Sequence, residues 1–349
     1  MLAFTRTTWD GWDYLPDVWA SWLDAPDGAV FAAEAAPEAG TGGAADPIAG
    51  RPIAVGRVAL LSATEAWMEG LRVDPAIRGH GVATAFQAAE LSWAQAQGAA
   101  IVRYATGETN EASLHLGARH GFDLVGRWRA LRPEGPNGTV GAPADVPKTA
   151  GTSLSRAAVL EHLDAAGLIA RERAGSDTTG GATGRARLWE RLGTDATFVA
   201  GRGLYEWRAW AWQAFTEDRL ARHAERGELL LAEAGDTWAL GLFAGERVSG
   251  ETRLALLGGD PNAARRLIDE VTTVTGRKPI IRLPDGSPLT DGLAPSLGRT
   301  GWRVADHSLV LMARPLRDDA GVPLPLPTDG MERVEFVEEP HPLGLRPAR

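Results

Sequence analysis

The segment Val73-Asp74-Pro75-Ala76-Ile77-Arg78-Gly79-His80-Gly81-Val82-Ala83-Thr84 decides the fold of the N-terminal half of this 349-residue chain. Residues 67–73 before it are bulky and alternate in the way typical of a strand. Residues 82–97 after it carry apolar side chains at helical spacing and end before Gly98. Two glycines within three residues make the connecting turn tight, so that several backbone N–H groups point at one anion beside the positive end of the helix dipole. The segment therefore predicts a pyrophosphate cradle without the lysine of a nucleotide-triphosphatase loop.

A second stretch, NEASLHLGARHGF at residues 110–122, extends this pattern after a predicted strand at 101–106. Arg78-x-x-Gly81-x-Ala83 resembles the acetyl-CoA loop of the GNAT superfamily of N-acetyltransferases. Residues 110–122 are similar to the family's fourth helix and the strand entry after it. The order and spacing of the two motifs agree with the family, and the resemblance covers residues 50–132.

The resemblance implies that acetyl-CoA is a cosubstrate and that no metal is needed. Main-chain groups of Leu71 and Val73 would pair with the pantetheine arm like an added strand, and a backbone N–H near Leu71 would bind the oxyanion. Asn110 would cap its helix and contact the cofactor arm. The residues expected to bind the pyrophosphate are Arg78, Gly79, His80, Gly81, Val82, Ala83 and Thr84.

Glu69 is the candidate general base, since the family often has a glutamate at this place on the central strand. Strand alternation predicts that Glu69, Leu71 and Val73 face one way. The alternatives are a surface carboxylate, or one that orients the substrate ammonium without moving a proton.

The proton donor for the leaving thiolate is harder to assign, because many family members carry a tyrosine where this chain has Gly117. His115 is the candidate acid, with His120 as a second choice, because the pKa of histidine lies near neutrality. A lone helical histidine is otherwise a surface or packing residue, and water is the remaining proton source.

The aromatic segment near the N-terminus would lie over the acceptor site. Carboxylates beside indole faces hold a cationic amine by charge and cation–π attraction. The alternative is that the tryptophans belong to the core and the aspartates are caps. The candidate acceptor-binding residues are Asp10, Trp12, Asp13 and Tyr14.

Composition excludes several classes of protein. The net charge of −9 and the pI near 5.4 argue against nucleic-acid and anionic-membrane partners. The absence of cysteine excludes disulfides and catalysis by a cysteine thiolate of the protein. No apolar run is long enough to span a bilayer, and the N-terminus lacks a signal peptide. We therefore expect a soluble, cytoplasmic monomer or homodimer.

The second half repeats the pattern in a looser form. It predicts an aromatic helix at 205–215, a strand at 254–257 and a helix at 263–275, but no Arg-x-x-Gly-x-Ala loop precedes that helix. We thus expect an α+β or α/β fold of two GNAT-like domains, each a mixed, mostly antiparallel sheet with a central V-shaped splay flanked by helices. The expected parts are an N-terminal domain (1–132), a linker (133–152), a degenerate domain (153–317) and a tail (318–349) with a strand at 331–337.

The expected function is direct acetyl transfer from acetyl-CoA to a primary amine, with a small molecule as the acceptor. Two alternatives stay open at this point. One is a non-catalytic acyl-CoA sensor, and the other is an enzyme that acetylates protein lysines or N-termini.

Overall fold

The computed structural model of the chain describes residues 5, 13–35, 50–134, 161, 164, 182–208, 210–244, 252–327 and 336–337. The chain divides into two compact units. The first unit comprises residues 1–106, 110–124 and 312–349, and the second comprises 107–109 and 125–311. Each unit therefore contains a segment from the other half of the chain.

The helices and strands are numbered in chain order. The helices are α1 (Leu15–Leu23), α2 (Val82–Ala96), α3 (Glu111–Arg119), α4 (Ala182–Thr194), α5 (Ala196–Ala200), α6 (Glu217–Glu225), α7 (Pro261–Thr275) and α8 (Pro288–Gly298). The strands are β1 (Gly28–Glu34), β2 (Pro52–Leu60), β3 (Glu65–Val73), β4 (Ile101–Gly107), β5 (Asp123–Pro133), β6 (Leu204–Arg208), β7 (Ala211–Ala214), β8 (Leu229–Ala234), β9 (Thr237–Ala244), β10 (Arg253–Gly259), β11 (Ile280–Pro284), β12 (Trp302–Val304), β13 (Leu309–Pro315) and β14 (Phe336–Val337).

The first unit is a sheet in the order β14-β1-β2-β3-β4-β13, with β13 belonging to it from Met312 onward. Strands β1, β2 and β3 are antiparallel neighbours, whereas β3 and β4 are parallel. The β3–β4 pairing stops after three residue pairs, the last of which is Trp67 with Arg103. The two strands separate beyond that point, which confirms the predicted V-shaped splay.

Helices cover both faces of this sheet. Successive side chains along each strand point to opposite faces, and each face packs against its own helix. Ala32 and Val55 pack against α1, in a cluster with Leu15 and Trp22. Their neighbours Ala33 and Ala54 point to the other face, where they pack against α2 through Val82 and Phe86. We refer to these as the α1 face and the α2 face. This alternation places α1 and α2 on opposite faces of the sheet.

The second unit contains the order β5-β11-β10-β9-β8, with β12 also paired to β5. Its β10 and β11 are parallel and pair at only two positions, so this sheet also splays. Helices α7 and α8 pack on it through an apolar core that includes Leu267, Leu283 and Leu297. The fold class is confirmed, as a mixed and mostly antiparallel sheet flanked by helices.

The predicted aromatic helix at 205–215 is wrong, because this segment forms the hairpin β6–β7. Tyr205 pairs with Gln213, and Trp212 is almost fully buried. Aromatic side chains favour strands over helices, and that preference decides the local structure here. The predicted strand at 254–257 and helix at 263–275 are confirmed within β10 and α7.

Parts of the predicted organisation lie outside the described residues. These are linker residues 135–152 and the tail at 328–335 and 338–349. Within the tail, the backbone of β14 pairs antiparallel with β1, at Ala32 with Val337 and at Ala33 with Phe336. In the described part of the chain, no helix has the length and apolar character needed to cross a membrane.

Candidate active site

The turn between β3 and α2 forms an exposed backbone cradle. Asp74 accepts a hydrogen bond from Ala76 N (3.0 Å), and Pro75 begins a short 3₁₀ turn over residues 75–77. Gly79 and Gly81 both have φ near +84°, a backbone conformation that other residues adopt only at a cost. A Cβ atom built on either glycine would meet no atom within 4 Å, so the space above the turn is open.

The start of α2 is a suitable site for an anion. Gly81 is its N-cap residue, and no side chain caps the helix. The first N–H groups of a helix lack intrahelical partners and carry the positive end of the dipole. The two glycines leave room for an anion to approach the main chain here.

The turn between β10 and α7 in the second unit is closed by aspartate side chains. Asp260 is the N-cap of α7, and its carboxylate accepts hydrogen bonds from Asn262 N (2.9 Å) and Ala263 N (3.1 Å). Asp195 accepts another from Gly259 N (2.9 Å). Negative charge therefore already occupies the start of this helix. Helix α5 also contacts both strands of the second splay, β10 and β11.

Side chains of the predicted cofactor loop fall into two groups. Val82 is buried in the core below α2, so only its backbone is available to a ligand. Arg78 and His80 are exposed, and His80 Nδ1 lies 3.1 Å from the carbonyl oxygens of Ile77 and Arg78. Among the described residues, Arg78 has no carboxylate within ion-pair distance, so its charge is available at the rim of the cradle.

Asn110 is confirmed as the cap of α3. Its Oδ1 accepts a hydrogen bond from Ser113 N (3.3 Å), and its Nδ2 donates to Thr106 Oγ1 (2.9 Å) at the end of β4. The amide is thus fixed beside the end of β4, and its contact with the cofactor arm stays a prediction.

A β-bulge in β3 changes the direction of the predicted catalytic strand. Gly70 has φ +73°, and residues 70 and 71 together stand opposite the single residue Gly56 of β2. Leu71 and Val73 pack on the α2 face with Phe86. Glu69 stands opposite Arg57, whose guanidinium lies 5.7 Å from the Trp22 ring on the α1 face. The prediction that Glu69 faces the same way as Leu71 and Val73 is therefore wrong, because the bulge interrupts the alternation.

Glu69 belongs to a charged cluster on the α1 face. Its Oε1 lies 2.6 Å from one Arg57 nitrogen, and Asp27 Oδ1 lies 2.7 Å from another. The Arg57 side chain is buried, while that of Glu69 remains partly exposed. The guanidinium fixes the orientation of a carboxylate that remains partly exposed.

A second ion pair on this face joins two predicted acceptor residues to β3. Arg72 donates to both oxygens of the buried Asp13 carboxylate, at 2.8 and 3.0 Å. The same guanidinium lies 5.5 Å from the centre of the Tyr14 ring. Desolvation of the hydroxyl, together with Glu69 and Asp13, raises the pKa of Tyr14 to about 12 although 39% of the residue is exposed, so the phenol keeps its proton at neutral pH. Asp10 and Trp12 lie outside the described residues.

The histidines of α3 lie away from this cluster. His115 is exposed, and it stands two residues, or about 200° around the helix, from the buried Gly117. His120 is almost fully buried, and its Nδ1 lies 3.0 Å from Leu116 O. Burial lowers the pKa of His120, with backbone contacts to Leu116 and Thr84 opposing that shift. The structure thus favours a packing role for His120.

The side chain beside Gly117 was not singled out by sequence reasoning. It is Tyr104 of β4, whose hydroxyl donates to Ser113 O (3.0 Å) and occupies the place where a Cβ of residue 117 would be. Burial raises the pKa of Tyr104 to about 12. Two features of the sequence could have indicated Tyr104. It lies on the strand before α3, and α3 has Gly117 where many family members have a tyrosine.

These features agree with the comparison against known families. Residues 5–122 match the model of the acetyltransferase (GNAT) family. The matched residues, about a third of the sequence, include the cradle, the bulged strand and α3. This match supports an acyltransferase that uses acyl-CoA. Among the described residues, no cluster of histidine and carboxylate side chains is placed to hold a metal ion.

Solved structures similar to this chain include GNAT proteins. A proposed acetyltransferase from Thermoplasma acidophilum is 15% identical, over 87% of this chain and 84% of that one, with a TM-score of 0.44. A GCN5-related N-acetyltransferase from Sphaerobacter thermophilus is 19% identical, over 79% and 80%, with a TM-score of 0.41. One from Kribbella flavida is 16% identical, over 76% and 58%, with a TM-score of 0.33. No curated protein sequence matches the chain.

Proposed function

We propose that this protein is an acetyl-CoA-dependent N-acetyltransferase that modifies a primary amine of a small molecule at a site in its first unit. The observation that carries the proposal is the start of α2, where Gly81 leaves the helix without a side-chain cap. Two glycines with open space above them precede that helix. This is the arrangement that a diphosphate needs.

Each part of the proposed site has its own role in cofactor binding or proton transfer. Acetyl-CoA supplies, when bound, a thioester that reacts directly with an amine. The loop from Arg78 to Thr84 holds the diphosphate, and Asn110 contacts the cofactor arm. The backbone of β3 at Leu71 and Val73 lies along that arm, and a backbone N–H near Leu71 binds the oxyanion. Glu69 takes the proton of the attacking amine, directly or through water.

The α1 face supports a small amine as the acceptor. Tyr14 is partly exposed beside Glu69, and Asp27 carries a half-exposed carboxylate close by. Carboxylates beside an aromatic ring attract a cationic group. Asp13 acts less directly, because Arg72 already neutralises its charge. Asp10 and Trp12 complete the proposed acceptor site.

The second unit is proposed to be a degenerate copy without a cofactor. Its strand-helix-strand order, β10-α7-β11, repeats β3-α2-β4 of the first unit. Asp260 caps its helix in place of an anion. The proposed parts remain a domain at 1–132, a linker at 133–152, a degenerate domain at 153–317 and a tail at 318–349. We also propose a cytoplasmic monomer or homodimer.

Two other functions compete with this one. A non-catalytic acyl-CoA sensor is favoured by Gly117, because glycine offers no hydroxyl to the leaving sulfur. An enzyme that acetylates protein lysines or N-termini would use the same cradle with an open peptide groove.

Calorimetry with coenzyme A, followed by a thiol-release screen of amines, tests the proposal. We expect saturable binding of one CoA per chain and thiol release with small cationic amines. Binding without thiol release across small amines and peptides would favour the sensor, and release with peptides alone would favour the protein-modifying enzyme. The absence of any CoA binding would refute all three functions.

A further inference from the structure

Tyr104 is the first residue of β4 beyond its pairing with β3. The ladder ends at Trp67 with Arg103, so the Tyr104 backbone borders the gap between the two strands. Glu69 borders the same gap from β3, two residues beyond the end of the ladder. Beyond the end of the ladder, Tyr104 is the first titratable residue of β4 and Glu69 is the first of β3.

Tyr104 and Glu69 approach that gap from opposite faces of the sheet. Arg103 pairs with Glu65 (2.7 Å), which shares the α1 face with Glu69 by strand alternation. Tyr104 follows Arg103 and therefore points to the α2 face, where it meets α3 at Ser113. A carbonyl carbon held in the gap would have a carboxylate on one side and a phenol on the other.

The Tyr104 phenol can occupy this position because residue 117 is glycine. A Cβ atom on residue 117 would overlap the Tyr104 hydroxyl oxygen and lie 3.0 Å from Cζ of the ring. The ring packs edge-on against Phe122, with 5.1 Å between centroids. Tyr104 is 7% exposed, and its hydroxyl is therefore held in one place by the surrounding side chains.

We propose that the Tyr104 hydroxyl stabilises the departing sulfur of the thioester by donating its hydrogen bond to it. This role rests on the proposed function. As the amine nitrogen bonds to the acetyl carbon, Glu69 takes the amine proton and the carbon–sulfur bond breaks with its electron pair on sulfur. The hydroxyl hydrogen turns from Ser113 O to that sulfur while the oxygen stays in place, and the thiolate takes its proton from water after release. The high pKa of this phenol agrees with a donor that keeps its proton.

Tyr104→Phe is the variant that tests this role, because it keeps the ring and removes only the hydroxyl. We expect kcat to fall by about 10²-fold, as for loss of one donor to a developing negative charge, with KM for acetyl-CoA unchanged within about threefold. A second measurement compares the affinities of the wild type and the variant for CoA and desulfo-CoA. The wild type should bind CoA more tightly than desulfo-CoA above the thiol pKa, and Tyr104→Phe should bind both alike.

Tyr205→Phe is the matched control, since it removes a buried phenol hydroxyl from the second unit and should leave kcat unchanged. Gly117→Ala is a second test that retains the phenol but displaces it, and it should lower kcat in the same way. A Tyr104→Phe enzyme with wild-type kcat and an unchanged preference for CoA over desulfo-CoA would overturn the proposal. If the wild type binds no CoA, the proposed function itself has failed.

Discussion

Replacing Gly81 by aspartate should add a negative charge at the cradle of the first unit, although the backbone of Gly81 (φ +84°) differs from that of Asp260 (φ −73°). Gly81 and Asp260 are both the N-cap residues of the helix that follows a central strand. The Asp260 carboxylate accepts hydrogen bonds from two N–H groups of its helix. A carboxylate at position 81 would place negative charge where we propose that a diphosphate binds.

A Coulomb estimate bounds the size of the effect. Two like charges 4 Å apart repel by about 1 kcal/mol in water and about 4 kcal/mol in surroundings typical of a protein surface. Because each 1.4 kcal/mol changes an equilibrium about tenfold, CoA affinity should fall by between about fivefold and 10³-fold. A non-glycine residue at φ +84° also costs about 1 kcal/mol of folding stability, without any steric clash at this open position.

Calorimetry with CoA measures the affinity, and thermal denaturation separates it from stability. Gly81→Asn is the matched control, because it has nearly the same shape and the same backbone cost without the charge. We expect Gly81→Asp to bind CoA at least about fivefold more weakly than Gly81→Asn, with similar stabilities. Equal CoA affinity in the two variants would refute the assignment of the diphosphate to this turn.

Three further predictions concern packing and charge. Burial raises the pKa of Glu90 well above its ordinary value. As pH rises, the unfolded state therefore loses this proton before the folded state does. The free energy of unfolding should then fall, by at most about 1.4 kcal/mol per pH unit. Urea unfolding of Glu90→Gln between pH 4 and 8 should show a smaller decline. Asp260→Ala should cost about 1 kcal/mol in thermal stability by removing the cap, while calorimetry still finds one CoA per chain. Gly117→Ala should destabilise by about 1–3 kcal/mol in denaturant, because the added methyl group overlaps the Tyr104 hydroxyl.

Local signals predicted the elements around the cradle well. The strand before it, helix α2 and strand β4 lie within two residues of their expected bounds. Each is fixed by nearby residues, namely Pro75 at the start of a turn, two glycines with positive φ, and an apolar stripe along α2. Asn110 was likewise predictable as a cap, because its side chain bonds to an N–H three residues away.

The orientation of the catalytic strand was not predictable from alternation alone. One extra residue in β3 moves Leu71 to the face opposite Glu69. The signal was Gly70 within a strand, which often marks a bulge. A Cβ at Gly70 would also overlap the Trp22 ring, a contact 48 residues away in sequence that no local pattern contains.

The sheet of the first unit depends on pairing that is still more distant in sequence. Strand β4 is followed in that sheet by β13, which is about 200 residues further along the chain. Strand β5, directly after α3, pairs instead with β11 in the second unit. Pairing of this kind is decided by the whole chain rather than by a local motif. A fragment cut after residue 132 would keep the cradle and Tyr104 but lose the strand beside β4, leaving unpaired backbone N–H and C=O groups next to the proposed site. We therefore expect β13 to help hold Tyr104 and Glu69 on either side of the same gap.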